Sequence, residues 1–167
     1  LGEAGSLNFV GRDWASALSA PGHLYKFYAS EGGLRVPLVV AGPGVAPGRR
    51  VETFAFATDV TPTLIDFAQA APQPQATSLD GRSLKPVLGG GAAAATHGPD
   101  DPVGVEVSGN SALFRGDLKI VRNMPPVGDG RWRLYDLKAD PGETRDLAAA
   151  RPETLQSLLG DYAAYEA

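Results

Sequence analysis

The sequence predicts an α/β part followed by a smaller α+β subdomain, in which a four-stranded antiparallel sheet packs against a long C-terminal helix. The α/β prediction rests on residues 36–40, a short β-branched apolar run. This run lies between Gly32-Gly33 and Gly42-Pro43-Gly44, which is typical of a buried strand bounded by turns. The α+β prediction rests on four short strand-like runs separated by tight turn signals and followed by apolar residues at helical spacing.

Two helices are predicted in the first part of the chain. The opening 20 residues are rich in Gly, Ser and Ala, so we expect a loop there, with one helical turn over residues 13–18 capped by Asp13. The second helix is predicted over residues 59–69, with Asp59 as its N-cap and Pro62 in its first turn. Because capping accounts for the Asp59 carboxylate, we do not interpret this residue as a metal ligand.

The C-terminal part has the pattern of an antiparallel meander closed by a helix. Its predicted strands cover residues 103–108, 111–115, 118–122 and 131–137. The helix is predicted over residues 152–165, and one of its faces carries Leu155, Leu158, Leu159, Tyr162 and Tyr165. The predicted domain limits are therefore 1–88 for the α/β part, 89–102 for a flexible linker of low complexity, and 103–167 for the α+β subdomain.

Composition and charge exclude several classes of function. The 167 residues include 15 basic and 19 acidic side chains, a formal net charge of -4, without a basic tract, so we expect neither nucleic-acid nor anionic-membrane binding. The chain has no cysteine, which excludes disulfides, thiolate metal sites and a cysteine nucleophile within it. Since the sequence begins without Met or a leader-like segment, we expect it to be an internal piece of a longer protein.

Lys26 is the first candidate site residue. It lies between aromatic residues a few positions before the predicted strand, and loops at strand ends are where open α/β sheets bind ligands. A compact ammonium there is suited to holding an anion. The residues alone leave open a second interpretation, a solvated lysine whose stem lies across Tyr25 or Phe27. His23 is close in sequence and is a second candidate for the same cavity, or else a surface histidine.

Four blocks stand out by their combination and order. They are Y-K-x-x-x-x-E-G-G-x-R-x-P from Tyr25, D-V-T-P-T-L from Asp59, G-N-S-A-L-F-R-G-D-L-K-I-V from Gly109, and L-Y-D-L-K-A-D-P-G-E-T-R-D-L from Leu134. Together they resemble the C-terminal portion of bacterial arylsulfatases, in the sulfatase family of the alkaline-phosphatase-like superfamily. The resemblance implies a sulfuric ester hydrolase whose large α/β sulfatase domain is represented here by its last part. It also implies that Lys26 contacts the sulfate group of a sulfate ester substrate.

The same resemblance places the rest of the active site outside this chain. The family uses a formylglycine nucleophile and one divalent cation, with calcium expected, and the motifs for both are absent from the sequence. The nearest spacing match to the formylglycine motif runs from Ser111 to Arg115, but it has Leu113 at the third position and lies in a predicted strand. We therefore expect the isolated chain to be inactive.

Two alternative functions and one physical expectation remain. The chain could derive from a phosphonate monoester or phosphodiester hydrolase on the same scaffold, or it could be a non-catalytic interaction module. In either case residues 36–40 would lack their neighbouring strands, so we expect exposed apolar surface there and self-association into a homo-oligomer.

Overall fold

The computed structural model describes residues 3–5, 10–71, 78–90 and 95–167. The chain divides into two compact units, which we call the sheet unit, Leu1–Val36 with Pro102–Ala167, and the middle unit, Pro37–Asp101. The N-terminal segment thus belongs with the C-terminal sheet and helix. The domain limits predicted from the sequence stay a prediction, and residues 91–94 of the predicted linker lie outside the described residues.

The sheet unit contains the predicted antiparallel meander. Its four strands are hydrogen-bonded in the order of the chain, and they are β1 (Pro102–Val107), β2 (Asn110–Arg115), β3 (Leu118–Arg122) and β4 (Arg133–Asp136). The first turn is Ser108-Gly109, one residue earlier than predicted. Both of its residues have positive φ, 50° and 78°, which the favoured two-residue hairpin turn requires.

The predicted C-terminal helix forms over Pro152–Glu166, here called α5, and covers one face of the meander. Leu113, Ile120 and Leu134 are paired across three neighbouring strands and are fully buried, together with Leu158 of α5. Tyr162 joins this core. Tyr165 is half exposed, and its ring lies against Gly104 of β1, where a Cβ would clash with it. The helix therefore packs on the sheet largely as its apolar spacing predicts.

The opposite face of the sheet is also buried. Strand alternation places Phe114, Lys119, Val121 and Tyr135 on this face, and each is less than 9% exposed. A buried lysine on this face needs partners of opposite charge. Glu31, near the N-terminus, and Glu143, after the last strand, supply them.

The N-terminal helices are short and polar. The first, α1, covers Arg12–Ser19, and its N-cap is Gly11, so the predicted cap at Asp13 is wrong by two residues. The second, α2, covers Glu31–Leu34. The run at residues 36–40 is not a strand, and Val36, Leu38 and Val39 are 77%, 55% and 90% exposed. The prediction of a buried strand was wrong for this chain, because the only sheet among the described residues is the meander and no neighbouring strand is present to pair with the run.

The middle unit is built around a helix, α3, over Val60–Ala68, which follows a 3₁₀ turn at Ala57–Asp59. A short helix, α4, covers Lys85–Leu88. Leu84 N donates to Thr63 Oγ1 (2.8 Å), and Lys85 Nζ contacts the Asp66 carboxylate (3.0 Å), so this later segment packs on α3. No helix in the described parts of the chain is long and apolar enough to cross a membrane.

Asp59 precedes α3, but its side chain does not cap that helix. The fully buried carboxylate accepts hydrogen bonds from Phe56 N (2.7 Å) and Arg82 N (2.8 Å) and lies 2.8 Å from His97 Nε2. Burial raises the pKa of Asp59, but these hydrogen bonds outweigh burial and hold its pKa below 3.8. Asp59 is thus the N-cap residue of α3 by position, as predicted, but the predicted role of its side chain is wrong. Its carboxylate binds Phe56 N in the preceding turn, and Arg82 and His97 farther along the chain.

Candidate functional site

Lys26 lies in a loop of residues 21–30, here called the Lys26 loop, which is held closely against Gly32 and Gly33. Gly32 N donates to His23 O (2.9 Å). A Cβ on Gly32 would clash with Leu24 O and lie 2.7 Å from His23 O, and a Cβ on Gly33 would clash with Tyr28 O. The predicted close approach at the glycine pair is therefore present, and the group that approaches is the backbone of the Lys26 loop itself.

The backbone of this loop adopts conformations that need external support. Leu24 and Phe27 have positive φ, 60° and 86°, which side chains other than glycine rarely adopt. Within the loop, Tyr28 N donates to Tyr25 O (3.2 Å), and the two tyrosine rings stack edge to face with centroids 5.3 Å apart. These local contacts join residues 25 and 28 but do not tie the loop to the sheet.

Side chains of the sheet region tie the loop down at alternate residues. Asn110 Nδ2 donates to Phe27 O (2.7 Å) and Asn123 Oδ1 accepts from Ala29 N (3.0 Å). Glu143 then accepts from the N–H of Glu31, with Oε2 at 3.0 Å. The three side chains take the place of a neighbouring strand, because they satisfy backbone groups two residues apart along residues 27–31.

A buried group of charges lies beside these hydrogen bonds. Lys119 Nζ is 2.8 Å from Glu31 Oε1 and 2.8 Å from Glu143 Oε1. The side chains of Lys119 and Glu143 are fully buried and that of Glu31 is 6% exposed. The ammonium also lies 4.8 Å from the centre of the Phe114 ring. A lysine from β3 is therefore shared by two glutamates, one at the start of α2 and one in the turn after β4.

The two site residues predicted from the sequence occupy different surroundings in the sheet unit. Lys26 is exposed, and its Nζ lies 5.2 Å from the centre of the Phe27 ring. His23 lines a cavity of about 310 Å³ together with Ser30, Asn123 and Tyr135, and Lys26 is not part of that lining. The structure thus brings His23, but not Lys26, to this cavity, and both predicted roles stay predictions.

The other walls of this cavity carry groups with shifted pKa values. Burial, with the nearby charges of Asp146 and Glu143, raises the pKa of Tyr135 to about 12, so its hydroxyl keeps its proton. Asp129 accepts hydrogen bonds from Arg131 N (3.0 Å) and from both Arg133 terminal nitrogens, and these bonds hold its pKa below the usual value. The cavity is therefore polar, but the Arg133 guanidinium in its wall is already paired with Asp129.

The residues present do not fit the metal and the nucleophile that the family resemblance implies. In residues 3–5, 10–71, 78–90 and 95–167, no three His, Cys, Asp or Glu side chains come together as a metal site. Ser111 is buried in β2, and its Oγ accepts from the Arg122 guanidinium (3.2 Å), so it is not placed as a nucleophile. Neither group is therefore assigned to residues of this chain.

Sequence reasoning missed the side chains that hold the Lys26 loop. Lys119 carried a signal, because it is a charged residue between apolar neighbours in a central strand, where burial without partners is costly. Asn123 and Glu143 carried no signal in the sequence spacing, because their partners are 93 to 112 residues away.

The curated proteins that this chain resembles are named as sulfatases. No protein-family model matches the chain. It is 31% identical over 184 aligned residues to an uncharacterised sulfatase of Schizosaccharomyces pombe, covering all of this chain and 31% of that protein. A choline-sulfatase of Rhizobium meliloti is 33% identical over 81% of this chain, and arylsulfatase K of Gallus gallus is 32% identical over 80%; each is matched over 26% of its own length.

Solved structures agree in fold. The protein Ps i-CgsB, solved with a neocarrahexaose, matches 87% of this chain with a TM-score of 0.71 at 22% identity, which supports the fold alone. A 2-O GAG sulfatase matches 75% with a TM-score of 0.54 at 27% identity. The fold and these relatives define a protein of the sulfatase family. Within that family, the chain corresponds to a C-terminal portion and spans about a quarter to a third of the length of the relatives it matches.

Proposed function

We propose that this chain is the part of a sulfuric ester hydrolase that supplies a sulfate-contacting lysine, Lys26. The observation that carries the proposal is the Lys26 loop. It presents an exposed ammonium from a backbone that Asn110, Asn123 and Glu143 hold at alternate residues. A fixed cation is useful in catalysis when negative charge develops on a bound oxyanion, because it stabilises that charge without reorganising first.

The ammonium would act as a point charge on the sulfate oxygens. Lysine suits this role because its charge is compact and its three N–H donors rotate to fit the acceptors. Phe27 limits the directions open to the Lys26 stem, since Nζ already lies 5.2 Å from its ring centre. In this proposal the aromatic contact keeps the ammonium in place, and a bound sulfate ester meets it there.

His23 is the second proposed contact to substrate, through the cavity that it lines. Its backbone carbonyl is held by Gly32 N, so the imidazole leaves the loop from a fixed point. Formylglycine and a divalent cation, with calcium expected, belong to the family's chemistry. We propose that residues outside this chain hold both, and no catalytic step is assigned to them here.

The test of this function uses the full-length protein that contains this chain. Lys26→Ala should lower turnover of a chromogenic aryl sulfate at least about tenfold, since loss of one charge-stabilising donor costs about 10² to 10³ in comparable sites. Lys138→Ala is the matched control, because Lys138 is a lysine of the same unit whose side chain is 80% exposed and only loosely paired with Asp117 (3.8 Å). It should leave turnover unchanged.

Unchanged kinetics in Lys26→Ala would refute the assignment of this residue. Faster turnover of a phosphodiester than of the aryl sulfate by the unaltered protein would instead favour the phosphodiester hydrolases as the class. The purified 167-residue chain should show no turnover of either ester, and measurable activity would contradict the proposal that nucleophile and cation lie elsewhere.

A further inference from the structure

We propose that Glu31, Lys119 and Glu143 form a clamp whose task is to position Lys26, so that all three are positioning residues for the reaction. The inference rests on the proposed function of Lys26 and adds to it the device that fixes the loop. The clamp connects three separate parts of the chain, the start of α2, strand β3 and the turn after β4. No other residue in the described parts of the sheet unit joins all three by ion pairs.

The charge balance of the clamp argues against a purely stabilising role. Two carboxylates share one ammonium, which leaves a formal charge of -1 in a buried place. Burying charges costs desolvation energy, and well-packed apolar residues of similar size often stabilise a protein as well or better. An apolar residue at position 119 would also suit the strand pattern of Leu118, Ile120 and Val121. What charges add over apolar residues is a fixed geometry, since the ammonium lies 2.8 Å from one oxygen of each glutamate and the second oxygen of Glu143 accepts from Glu31 N.

The turn that carries Glu143 is built to hold its side chain in one place. Glu143 has φ of 54°, a strained conformation for a residue with a side chain. Asp140 fixes the turn by accepting hydrogen bonds from Thr144 N and Arg145 N, both at 2.8 Å. Glu143 uses both carboxylate oxygens, Oε1 beside Lys119 and Oε2 on Glu31 N. Backbone strain of this kind persists only where several surrounding contacts hold the residue in that conformation.

A short path leads from the clamp to Lys26. Glu31 is the first residue of α2, and the next residue, Gly32, donates its N–H to His23 O. On the other side of Lys26, Phe27 O is held by Asn110. Lys26 therefore lies between two backbone points, and the clamp fixes one of them through α2. If the clamp loosens, α2 and His23 shift together, and the ammonium loses its orientation.

The experiment compares Glu31→Gln and Glu143→Gln in the full-length protein, each alone and combined with Lys26→Ala. Both substitutions keep shape and remove one charge from the clamp. With Lys26 present each should lower kcat about tenfold, with a smaller change in KM, because misplacement by about 1 Å can cost up to about 10². In the Lys26→Ala background the same substitutions should lower kcat less than about twofold, since they act through Lys26.

Asp161→Asn is the matched control. Asp161 of α5 is a partly buried carboxylate paired with Arg115 of β2 on the opposite face of the same sheet. Asp161→Asn should change kcat by only a small factor, and this factor should be the same with Lys26 present or absent. Equal losses of kcat for Glu31→Gln or Glu143→Gln in both Lys26 backgrounds would overturn the positioning role, because a general structural defect acts without Lys26.

A second readout does not depend on activity. Hydrogen exchange of the amides in residues 23–31 should become at least about tenfold faster in either glutamine variant, while β2 and β3 amides keep their protection. Unchanged exchange in residues 23–31 would overturn the clamp. Faster exchange there, together with normal kcat in Lys26→Ala, would show that the clamp holds the loop but that the proposed role of Lys26 is wrong.

Discussion

Removal of the buried ammonium of Lys119 should destabilise the sheet unit strongly. Lys119→Met keeps an unbranched side chain that lacks only the ammonium end, and it leaves two carboxylates facing each other without a cation, where Glu143 is fully buried and Glu31 is 6% exposed. Breaking a buried ion pair by deleting one partner costs about 3 to 5 kcal/mol. The lower end is expected here, because the Glu31 side chain is 6% exposed and its carboxylate is therefore not completely cut off from water. We therefore expect the free energy of unfolding to fall by about 3 kcal/mol.

The triple variant Glu31→Gln, Lys119→Met, Glu143→Gln tests whether the instability of Lys119→Met comes from unpaired charges or from a change in side-chain shape. It removes all three charges, and the amide oxygen that Glu143→Gln introduces still accepts from the N–H of residue 31. Its free energy of unfolding should lie within about 1.5 kcal/mol of the unaltered chain, because neutral replacements avoid the desolvation penalty. Trp132 packs against the core, with its ring centre 4.8 Å from that of Tyr162, and so reports the unfolding of the sheet unit.

The assay is urea unfolding followed by tryptophan fluorescence in a Trp14→Phe background, since Trp14 is 71% exposed and would add a constant signal. A loss below about 1 kcal/mol in Lys119→Met would refute the reasoning that the ammonium is needed to bury the carboxylates. A triple variant as unstable as the single one would refute it as well, because shape rather than charge would then be the cause.

Two further predictions concern the middle unit and the exposed apolar run. The folded state holds the pKa of Asp59 below 3.8, so its stabilising contribution is complete above pH 3.8 and is lost as the pH falls through the lower folded value. Hydrogen exchange of α3 from about pH 2 to pH 7 should show this loss, and Asp59→Asn should reduce the acid dependence while weakening α3 at neutral pH. Some acid dependence should remain, because hydrogen bonds from Ser83 and Lys85 also hold the pKa of Asp66 in α3 below its usual value. An unchanged acid profile in Asp59→Asn would contradict the assignment. The isolated chain should also self-associate through Val36, Leu38 and Val39, which are 77%, 55% and 90% exposed. Size-exclusion chromatography with light scattering measures this, and a stable monomer would count against it.

The sequence was sufficient for those parts of the fold whose determinants are local. The meander could be predicted because its first three strands pair in succession across two-residue turns, so alternation and turn residues carry the information. Helix α5 could be predicted because its apolar spacing matches one face of a helix, with Leu158 and Tyr162 buried as expected. The run at residues 36–40 failed because a strand is defined by neighbours, and no described residue supplies one.

The candidate site was predictable only in part, and for a related reason. Lys26 and the glycine pair lie within one short block, so their proximity follows from the sequence. The cap assigned to Asp59 failed because Arg82 and His97, which contact its carboxylate, lie 23 and 38 residues away. The partners of the Lys26 loop are more distant still, and a contact over 112 residues, such as Glu31 N with Glu143, has no local signature.

The conformation of Glu143 has a consequence for engineering this protein. Its backbone favours glycine, with φ of 54°, so Gly or Asn at this position would relieve about 1 kcal/mol of strain. Such variants would relax the turn and still lose the carboxylate that reaches Lys119 and the start of α2. Because breaking a buried ion pair costs more than this strain, selection for stability and selection for turnover would both keep a glutamate at position 143.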